Sequence, residues 1–333
     1  MSNVHKGEIE RGTVTFAHRS APAWHSFANN VFNEDEDMTS AKMLKLAKLD
    51  NWNIRLEPVS SLIPADYRMA KDSFLVVRTN PFDQGTDVLA TVGERYKEVQ
   101  NEELFSFADN LLDGGATWES AGSIGNGRRV FGCLSIDRDV VVGDDKTKMY
   151  LVVSTSHDGS KAVQASITPV RVFCQNALNF ALKSAKQSFK IRHTSTVEGK
   201  ITMAREALGL TMKYADEFEK EAELLYSMAV TDKKFHKIIE TLYPMPEADV
   251  KGALTKWENK TDLVKNLYFN SPTNENIKGT AWGVVNALTE RLDYYRVARK
   301  GTNENLLAGA SGFDPVVTAE KNRIVKQVLA LAK

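Results

Sequence analysis

The chain has 333 residues, of which 42% are hydrophobic and 26% are charged, as is typical of a globular protein. Its 43 lysines and arginines balance 43 aspartates and glutamates, so a uniformly basic or acidic surface is excluded and any affinity for nucleic acid must come from a local patch. No run reaches the ~20 apolar residues of a membrane span, and the first residues lack the apolar core of a signal peptide. We therefore predict a cytoplasmic protein with no membrane partner.

Three segments are predicted along the chain. Residues 1–38 form an N-terminal arm, of which residues 1–20 are polar and loosely held. In this arm, the aromatic cluster around Trp24 and His25 is better explained as a packing anchor than as a base or metal contact. Residues 39–193 form a core of strands and helices that includes a basic helix. Residues 194–333 form a helical C-terminal region.

In the core, hydrophobic periodicity predicts two helices and five strands before the central stretch. The helices cover residues 41–48 and 101–112, and the strands cover residues 52–59, 74–78, 88–92, 117–124 and 129–136. Residues 137–148 are predicted to form a charged loop, in which Asp144 and Asp145 are a weak candidate for Mg²⁺. Long hydrophobic βαβ alternation is missing. The expected fold class is therefore α+β, an antiparallel sheet with helices packed on one face, followed by a mostly helical C-terminal region.

Residues 149–190 are predicted to form a β-hairpin that runs into an amphipathic helix. The first strand covers residues 149–156, the turn is His157-Asp158-Gly159-Ser160, and the second strand should end at Pro169. His157 and Asp158 are adjacent, which is poor geometry for a proton relay, so turn formation explains them better than catalysis.

The predicted helix has one apolar stripe and one polar stripe. The polar stripe consists of Asn176, Asn179, Lys183, Lys186 and Lys190. Residues 171–205 contain seven lysines and arginines, Arg171 and Arg192 among them, against the single acid Glu198. A solvated helix face usually mixes both signs, so this excess favours a phosphate-binding surface, with a solvated face as the alternative.

A second basic site is predicted at the tip of the hairpin formed by residues 117–124 and 129–136. There Arg128 and Arg129 follow Gly125-Asn126-Gly127, and such a pair can contact a backbone phosphate or stack on a base. A solvated turn is the equal alternative. Trp118 is a nearby candidate for stacking on a base.

The two cysteines, Cys133 and Cys174, lie in apolar contexts. Their spacing is not that of a zinc site, so buried reduced thiols are expected. Motifs of the common enzyme classes are also missing, since there is no GxxxxGK[ST], GxSxG, HExxH or CxxC. The sequence predicts a protein that is not an enzyme, with no catalytic residue, no metal and no cofactor.

After His193 the pattern becomes helical. Apolar stripes predict helices over residues 200–230, 233–242, 247–257, 261–268, 280–299 and 318–332. The first is long enough for an extended arm or a helical hairpin, which suits oligomer contacts or a partner dock.

Several stretches make the chain similar to the phage/plasmid-like protein family, whose shared domain has no known function. The most specific are HDGS at residues 157–160 and TPVRVFCQN at residues 168–176, and the likeness runs from about Trp24 to Arg296. Further stretches are WHSFANN, GERYKEVQNEE, GNGRRVFGCLSI and GTAWGVVNALTERLDYYR. Where the family has Asn-Thr-Leu after the cysteine, this chain has Asn176-Ala177-Leu178. The resemblance implies a bacteriophage, prophage or plasmid origin, and with it the cytoplasm of a bacterial host.

The order of hairpin, helix, strands and basic helix also resembles the core of phage single-strand annealing proteins of the RecT/Redβ type. That resemblance implies rings or filaments that hold single-stranded DNA in a basic groove. Our leading hypothesis is an ATP-independent homo-oligomer that binds and anneals single-stranded DNA in phage recombination or replication, with a host or phage replication protein as a further candidate partner. Asn176 and Asn179 would bond backbone or bases, and the phosphate contacts would come from Arg128, Arg129, Arg171, Lys183, Lys186, Lys190 and Arg192.

Two alternatives stay open. One is a phage-encoded interaction protein that binds and inhibits a host factor through the long helix and exposed aromatic residues. The other is a metal-dependent nuclease, which would need acids that converge on one face of the sheet. Nucleic-acid binding should weaken steeply with salt, whereas a partner held by apolar contacts should change little.

Overall fold

The computed structural model of the chain describes residues 15–19, 30–33, 37–64, 66–67, 72–171, 188–190, 197–247, 252–295 and 314–332. The chain divides into two compact units. The first comprises Met1–Asp137, Tyr150–Ser166 and Ser188–Gly209, and the second comprises Arg138–Met149, Ile167–Gln187 and Leu210–Lys333. These two units do not test the predicted division into an arm, a core and a helical region, which stays a prediction.

Ten strands and seven α-helices lie within the described residues. The strands are β1 (Thr15–Arg19), β2 (Asn30–Phe32), β3 (Arg55–Pro58), β4 (Ser73–Thr79), β5 (Thr86–Gly93), β6 (Thr117–Ile124), β7 (Arg129–Val142), β8 (Asp145–Ser156), β9 (Gln164–Arg171) and β10 (Ser188–Lys190). The helices are α1 (Ser40–Leu46), α2 (Asn101–Leu112), α3 (Val197–Ser227), α4 (Asp232–Leu242), α5 (Ala253–Phe269), α6 (Ala281–Tyr294) and α7 (Pro315–Ala332). Two short 3₁₀ helices, Val59–Ser61 and Pro272–Ile277, complete the set.

The strands form two sheets. The larger has the order β10-β9-β8-β7-β6-β1-β2, and the smaller has the order β3-β4-β5. Both pairs of the smaller sheet are antiparallel, as are β1–β6, β6–β7 and β9–β10, whereas β1 and β2 run parallel. These pairings and the helical C-terminal region confirm the predicted α+β class.

Part of the N-terminal segment belongs to the larger sheet. Thr15–Arg19 pairs with β6 on one side and β2 on the other, and the side chain of Ala17 is fully buried. The prediction of a loosely held arm is therefore wrong for these residues, because two strands satisfy their backbone hydrogen bonds. Trp24 and His25 lie outside the described residues.

The predicted charged loop at residues 137–148 is wrong. Strand β7 continues to Val142 and β8 begins at Asp145, so only Gly143 and Asp144 form the turn. Gly143 has a φ of +58°, which suits glycine, and Val142 and Val140 alternate inward along β7. Asp145 is buried and accepts a 2.7 Å hydrogen bond from the indole Nε1 of Trp282, a structural partner rather than a metal. Two runs of consecutive charged residues, at 137–139 and 144–146, gave this segment the appearance of a loop.

The end of the central stretch differs from the prediction in two ways. Strand β9 continues through Pro169 to Arg171, so the proline does not end it. Lys190 lies on β10, an extended segment paired with β9, and not on a helix with Lys183 and Lys186. Backbone pairing to a sheet edge outweighs the helical periodicity at this point, since propensity is a weak prior against tertiary contacts. Residues 172–187, where the rest of the basic helix is predicted, lie outside the described residues.

The core of the first unit contains an aromatic stack. Phe105 of α2 stacks on Trp118 of β6, with ring centroids 5.1 Å apart. Trp118 is only 1% exposed, so the prediction that it stacks on a base is wrong. The reason is that α2 covers this face of β6. Cys133, on the neighbouring strand, is a buried free thiol as predicted, and burial raises its pKa well above the usual range; Cys174 lies outside the described residues.

The second unit contains most of the helices. The long helix predicted from residue 200 is confirmed as the 31-residue α3. The two helices predicted at residues 247–257 and 261–268 are wrong, because the described part is the single helix α5, in which the Thr261 hydroxyl donates back to the carbonyl of Trp257. The last helix begins at Pro315, where Asp314 accepts from two backbone N–H groups, and not at Thr318. Among the described helices, none has both the length and the apolar character needed to span a membrane.

Two glycine-to-alanine substitutions should change stability in opposite directions. A Cβ at Gly132 would lie 2.8 Å from Cζ3 of Trp118, so G132A should lower the free energy of unfolding by about 1–3 kcal/mol through overpacking. A Cβ at Gly209, on the exposed side of α3, has no atom within 4 Å. G209A should therefore raise the free energy of unfolding by about 0.5–1 kcal/mol, because alanine is favoured over glycine in a helix. Urea unfolding measures both, and equal effects would contradict the packing around Trp118.

Candidate functional site

Two turns that carry sequence motifs meet at one end of the larger sheet. Residues 125–128 connect β6 to β7, and the turn after β8 begins at His157. The backbone N–H of His157 donates to the carbonyl of Arg128 at 2.7 Å. Asp158 accepts from the N–H of Ser160 at 2.9 Å, which confirms its role in forming the turn. The GNGRR and HDGS stretches therefore form one local structure. They are 28 residues apart in the sequence, counted from Arg129 to His157.

Four cations lie at this end of the sheet, and we call them the basic rim: Arg128, Arg129, Lys161 and Lys190. Arg128 is exposed and closes the first turn, and Arg129 begins β7 opposite Ile124. Two hydrogen bonds, of 2.8 and 3.0 Å, tie the backbone of Lys161 to the hydroxyl of Ser156 at the end of β8. Lys190 is exposed and pairs with Gln164, the first residue of β9. Three separate segments thus supply positive charge to one edge.

The charges of the rim influence one another through Arg129. Burial lowers the pKa of Lys161, and the nearby Arg129 lowers it further. Burial alone would raise the pKa of Asp158, but hydrogen bonds from Ser160 and the charge of Arg129 outweigh it and lower that pKa. Asp158 is therefore ionised at neutral pH and offsets part of the positive charge.

The structure brings together three of the nine residues predicted to bind nucleic acid, namely Arg128, Arg129 and Lys190. Arg171 is the last residue of β9, at the other end of that strand from Gln164, and its side chain is outside the described part of the chain. The remaining predicted residues lie outside the described residues: Asn176, Asn179, Lys183, Lys186 and Arg192. Lys161 is a rim residue that sequence reasoning missed, since an isolated lysine in a turn gives no signal.

A buried guanidinium supports the first turn from below. Arg78 of β4 is only 1% exposed, its Cζ lies 4.0 Å from the ring centroid of Trp52, and Nε and Nη2 each lie 2.9 Å from Oδ2 of Asp87. Gly127 has a φ of +81°, and a Cβ there would overlap Nη1 of Arg78. Only glycine therefore allows the turn to rest on the guanidinium.

His157 is held in one tautomer beside this guanidinium. The Asn101 amide donates to the carbonyl of Leu49 at 2.8 Å, which leaves its Oδ1 to accept from Nε2 of His157 at 3.0 Å. Nδ1 then carries no proton. Burial and the charge of Arg78 lower the pKa of His157 from 6.5 to about 4, so the ring is neutral at physiological pH. His157 therefore serves the turn as a buried packing and hydrogen-bonding residue.

A cleft of about 960 Å³ opens beside the second turn, within the same unit. Its charged and aromatic lining consists of Asp72, Glu94, Arg95, Tyr96 and Asp158. Tyr96 is half-buried, and burial, followed by the charges of Asp158 and Glu98, raises its pKa to about 12. Within the described ranges, no group of three or more His, Cys, Asp or Glu side chains is arranged to hold a metal ion. Sequence reasoning missed Tyr96 as a site residue, although it lies in the GERYKEVQNEE stretch.

A family described as "Domain of unknown function (DUF932)" matches residues 88–310, about two thirds of the chain. The chain belongs to this family. The match includes all four rim residues, His157 and Tyr96, whereas Trp52 and Arg78 precede it. No curated protein and no solved structure matches the chain. Of the resemblances inferred from the sequence, the domain of unknown function is confirmed, while the phage or plasmid origin and the likeness to annealing proteins stay predictions.

The buried His157 should make folding sensitive to acid. Its pKa is about 4 in the fold and 6.5 in the unfolded chain, so the unfolded state binds more protons between these values. The associated stability is complete above pH 6.5 and is lost as the pH falls towards 4, by about 3 kcal/mol at 1.36 kcal/mol per pKa unit. Urea unfolding from pH 7.5 to 4 measures this loss.

The comparison variant is H157Q, whose amide can still donate to Asn101 but does not titrate. The difference in unfolding free energy between wild type and H157Q should change over that pH range. A difference that stays constant with pH would show that His157 is not buried as a neutral ring.

Proposed function

We propose that the basic rim binds the phosphates of single-stranded DNA, and that the protein is an ATP-independent DNA-binding and annealing protein of phage recombination or replication. The observation that supports this most is the convergence of Arg128, Arg129, Lys161 and Lys190 from three segments onto one sheet end. Two of them are exposed, and four cations beside the ionised Asp158 leave a net positive charge, which attracts phosphate. Rim and cleft belong to one unit, so the proposal needs no arrangement of the two units.

The neighbouring cleft suits bases better than phosphates. Its three carboxylates, Asp72, Glu94 and Asp158, repel a phosphate backbone but can accept hydrogen bonds from the amino groups of bases. Tyr96 offers a half-buried ring on which a base can stack, a contact worth about 1–3 kcal/mol. Because bases are available for such contacts only when they are unpaired, the arrangement favours a single strand over a duplex.

The buried cluster beneath the turn prepares the rim for binding. Arg78 and Gly127 fix the turn that carries Arg128, so little backbone freedom is lost when a phosphate binds. Binding in this form requires no nucleotide cofactor. Asn176, Asn179, Lys183, Lys186 and Arg192 would extend the surface under this proposal, and a homo-oligomer in the host bacterial cytoplasm would repeat it along a strand.

One observation favours the second candidate function, that of a phage-encoded protein that binds and inhibits a host factor. The helical part of the chain exposes large apolar side chains: Met212, Leu224, Met245, Leu254 and Tyr295. Exposed apolar residues of this size are common in contacts with other proteins. Such a complex should persist at high salt, whereas binding of DNA to the rim should not.

The variant R128Q/R129Q should bind a single-stranded oligonucleotide at least about tenfold more weakly than wild type, because each arginine lost removes a charge-assisted phosphate contact. The slope of log affinity against log salt should become shallower by about 1.4, since a single strand contributes about 0.7 per phosphate contact. Fluorescence anisotropy of a labelled oligonucleotide over a salt series measures both quantities. Mixing of complementary strands without ATP then tests annealing.

The matched control is K45Q/K48Q, which removes the same charge from exposed positions of α1 and the turn that follows it. It should keep wild-type affinity and slope. Absence of binding by wild type at low salt would contradict the proposed function. Equal losses of affinity in both double variants would show that the rim is not the DNA-binding surface.

A further inference from the structure

A second charged site lies in the helical unit, far along the chain from the rim. A pocket of about 630 Å³ is formed by the end of α4, by α5, by α6 and by the first turns of α7. Its polar lining consists of Tyr243, Lys260, Arg291, Glu320 and Arg323. The volume is in the range of small-molecule sites. All of these residues belong to the second unit.

Three cations surround one aromatic ring in this pocket. Nζ of Lys260 lies 4.0 Å from the ring centroid of Tyr243, and the Cζ atoms of Arg291 and Arg323 lie 5.7 and 5.8 Å from it. An aromatic face compensates a cation only partly, by about 0.5–2 kcal/mol. The three cations therefore lie close together around the Tyr243 ring, which does not neutralise their charge.

The single carboxylate among the described lining residues is already bound to one of these cations. Glu320 accepts hydrogen bonds from Nε and Nη2 of Arg323 at 2.8 and 2.7 Å. The third guanidinium nitrogen of Arg323 donates to the carbonyl of Leu242. Neither Lys260 nor Arg291 forms an ion pair with another described residue, and the Nε of Arg291 is buried without a hydrogen-bond acceptor there. Lys260 and Arg291 thus have no ion pair of their own, and Glu320, which is bound to Arg323, acts on Lys260 only from beyond ion-pair distance.

The same unit contains a buried lysine that forms an ion pair within the fold. Lys321, one residue from Glu320, is fully buried, and its Nζ lies 2.8 Å from Oδ1 of Asp293. A buried charge is normally paired in this way because an uncompensated one is costly. Burial, and then the charge of Arg291, lowers the pKa of Lys260, and these effects outweigh the nearby Glu320, which raises it.

We propose that this pocket binds a phosphate group, either free or carried by a small organic molecule. Arg291 supplies the planar donors that match a phosphate, and Lys260 supplies a second positive charge on the opposite helix. Leu292, Val316 and Val317 form an apolar wall, with Val316 69% exposed, against which an organic body can lie. The first backbone N–H groups of α7 are taken by Asp314 and do not contribute.

Isothermal titration of the full chain with inorganic phosphate, adenosine 5′-monophosphate and adenosine tests the proposal. Phosphate and the monophosphate should bind and adenosine should not. Tighter binding of the monophosphate than of phosphate would identify an organic phosphate as the ligand, and equal affinities would identify free phosphate. Failure of both to bind at millimolar concentration would overturn the proposal.

Four variants locate the site. K260Q and R291Q should each weaken binding at least about tenfold, the loss expected for one charge-assisted contact. K256Q, one turn earlier on α5, exposed and outside the lining, should bind as wild type does. E320Q should tighten binding, because it removes the only acid among the described lining residues and releases Arg323. A gain cannot arise from misfolding, so unchanged affinity in K260Q together with no gain in E320Q would exclude this pocket.

The pocket and the rim can be separated experimentally. R128Q/R129Q should retain phosphate binding, and K260Q should retain binding of the oligonucleotide. Loss of both activities in either variant would contradict two independent sites.

Discussion

The buried guanidinium of Arg78 is the interaction on which the candidate site depends. It joins the Trp52 ring, the Asp87 carboxylate and the backbone of the turn at Gly127 within a few ångströms. Each contact uses a different property of arginine: a flat face for stacking, fixed donors for a carboxylate, and a thin edge against which a glycine can lie. A lysine would supply none of these geometries. The buried charge of Arg78 therefore determines where the turn places the rim arginines at the surface.

Much of the fold could be predicted because its periodicity is local. Helix Asn101–Leu112 and strand Thr117–Ile124 have the predicted bounds, since their apolar spacing is regular and glycines follow the helix and lie on both sides of the strand. The prediction failed where a residue's role depends on distant chain. Lys190 looks helical by spacing but is extended because β9 lies beside it, and Trp118 looks available but is covered by Phe105. No local pattern contains either contact.

The site shows the same division. The two basic turn residues were predicted because their glycines and charges are adjacent in sequence, whereas Arg78, Asn101 and His157 come from three elements and meet only in the fold. His157 was correctly assigned to a turn rather than to catalysis, but its burial against Arg78 gives no sequence signal. The phosphate pocket was missed entirely, since Tyr243, Lys260, Arg291 and Arg323 lie on four separate parts of the helical region. The two sites also differ physically, because the rim adds cations on a surface while the pocket concentrates them around a ring.

The ends of the larger sheet have a consequence for assembly. Within the described residues its outermost strands, β2 and β10, have three residues each, and Ser188 and Lys190 of β10 are exposed. An exposed lysine on an outermost strand discourages another strand from adding there. Copies of the chain that join into a ring or filament would then have to do so by packing side chains or helices against one another. Under the proposed function, such contacts would dissociate and reform as a DNA strand is taken up and released, which a continuous intermolecular sheet would resist.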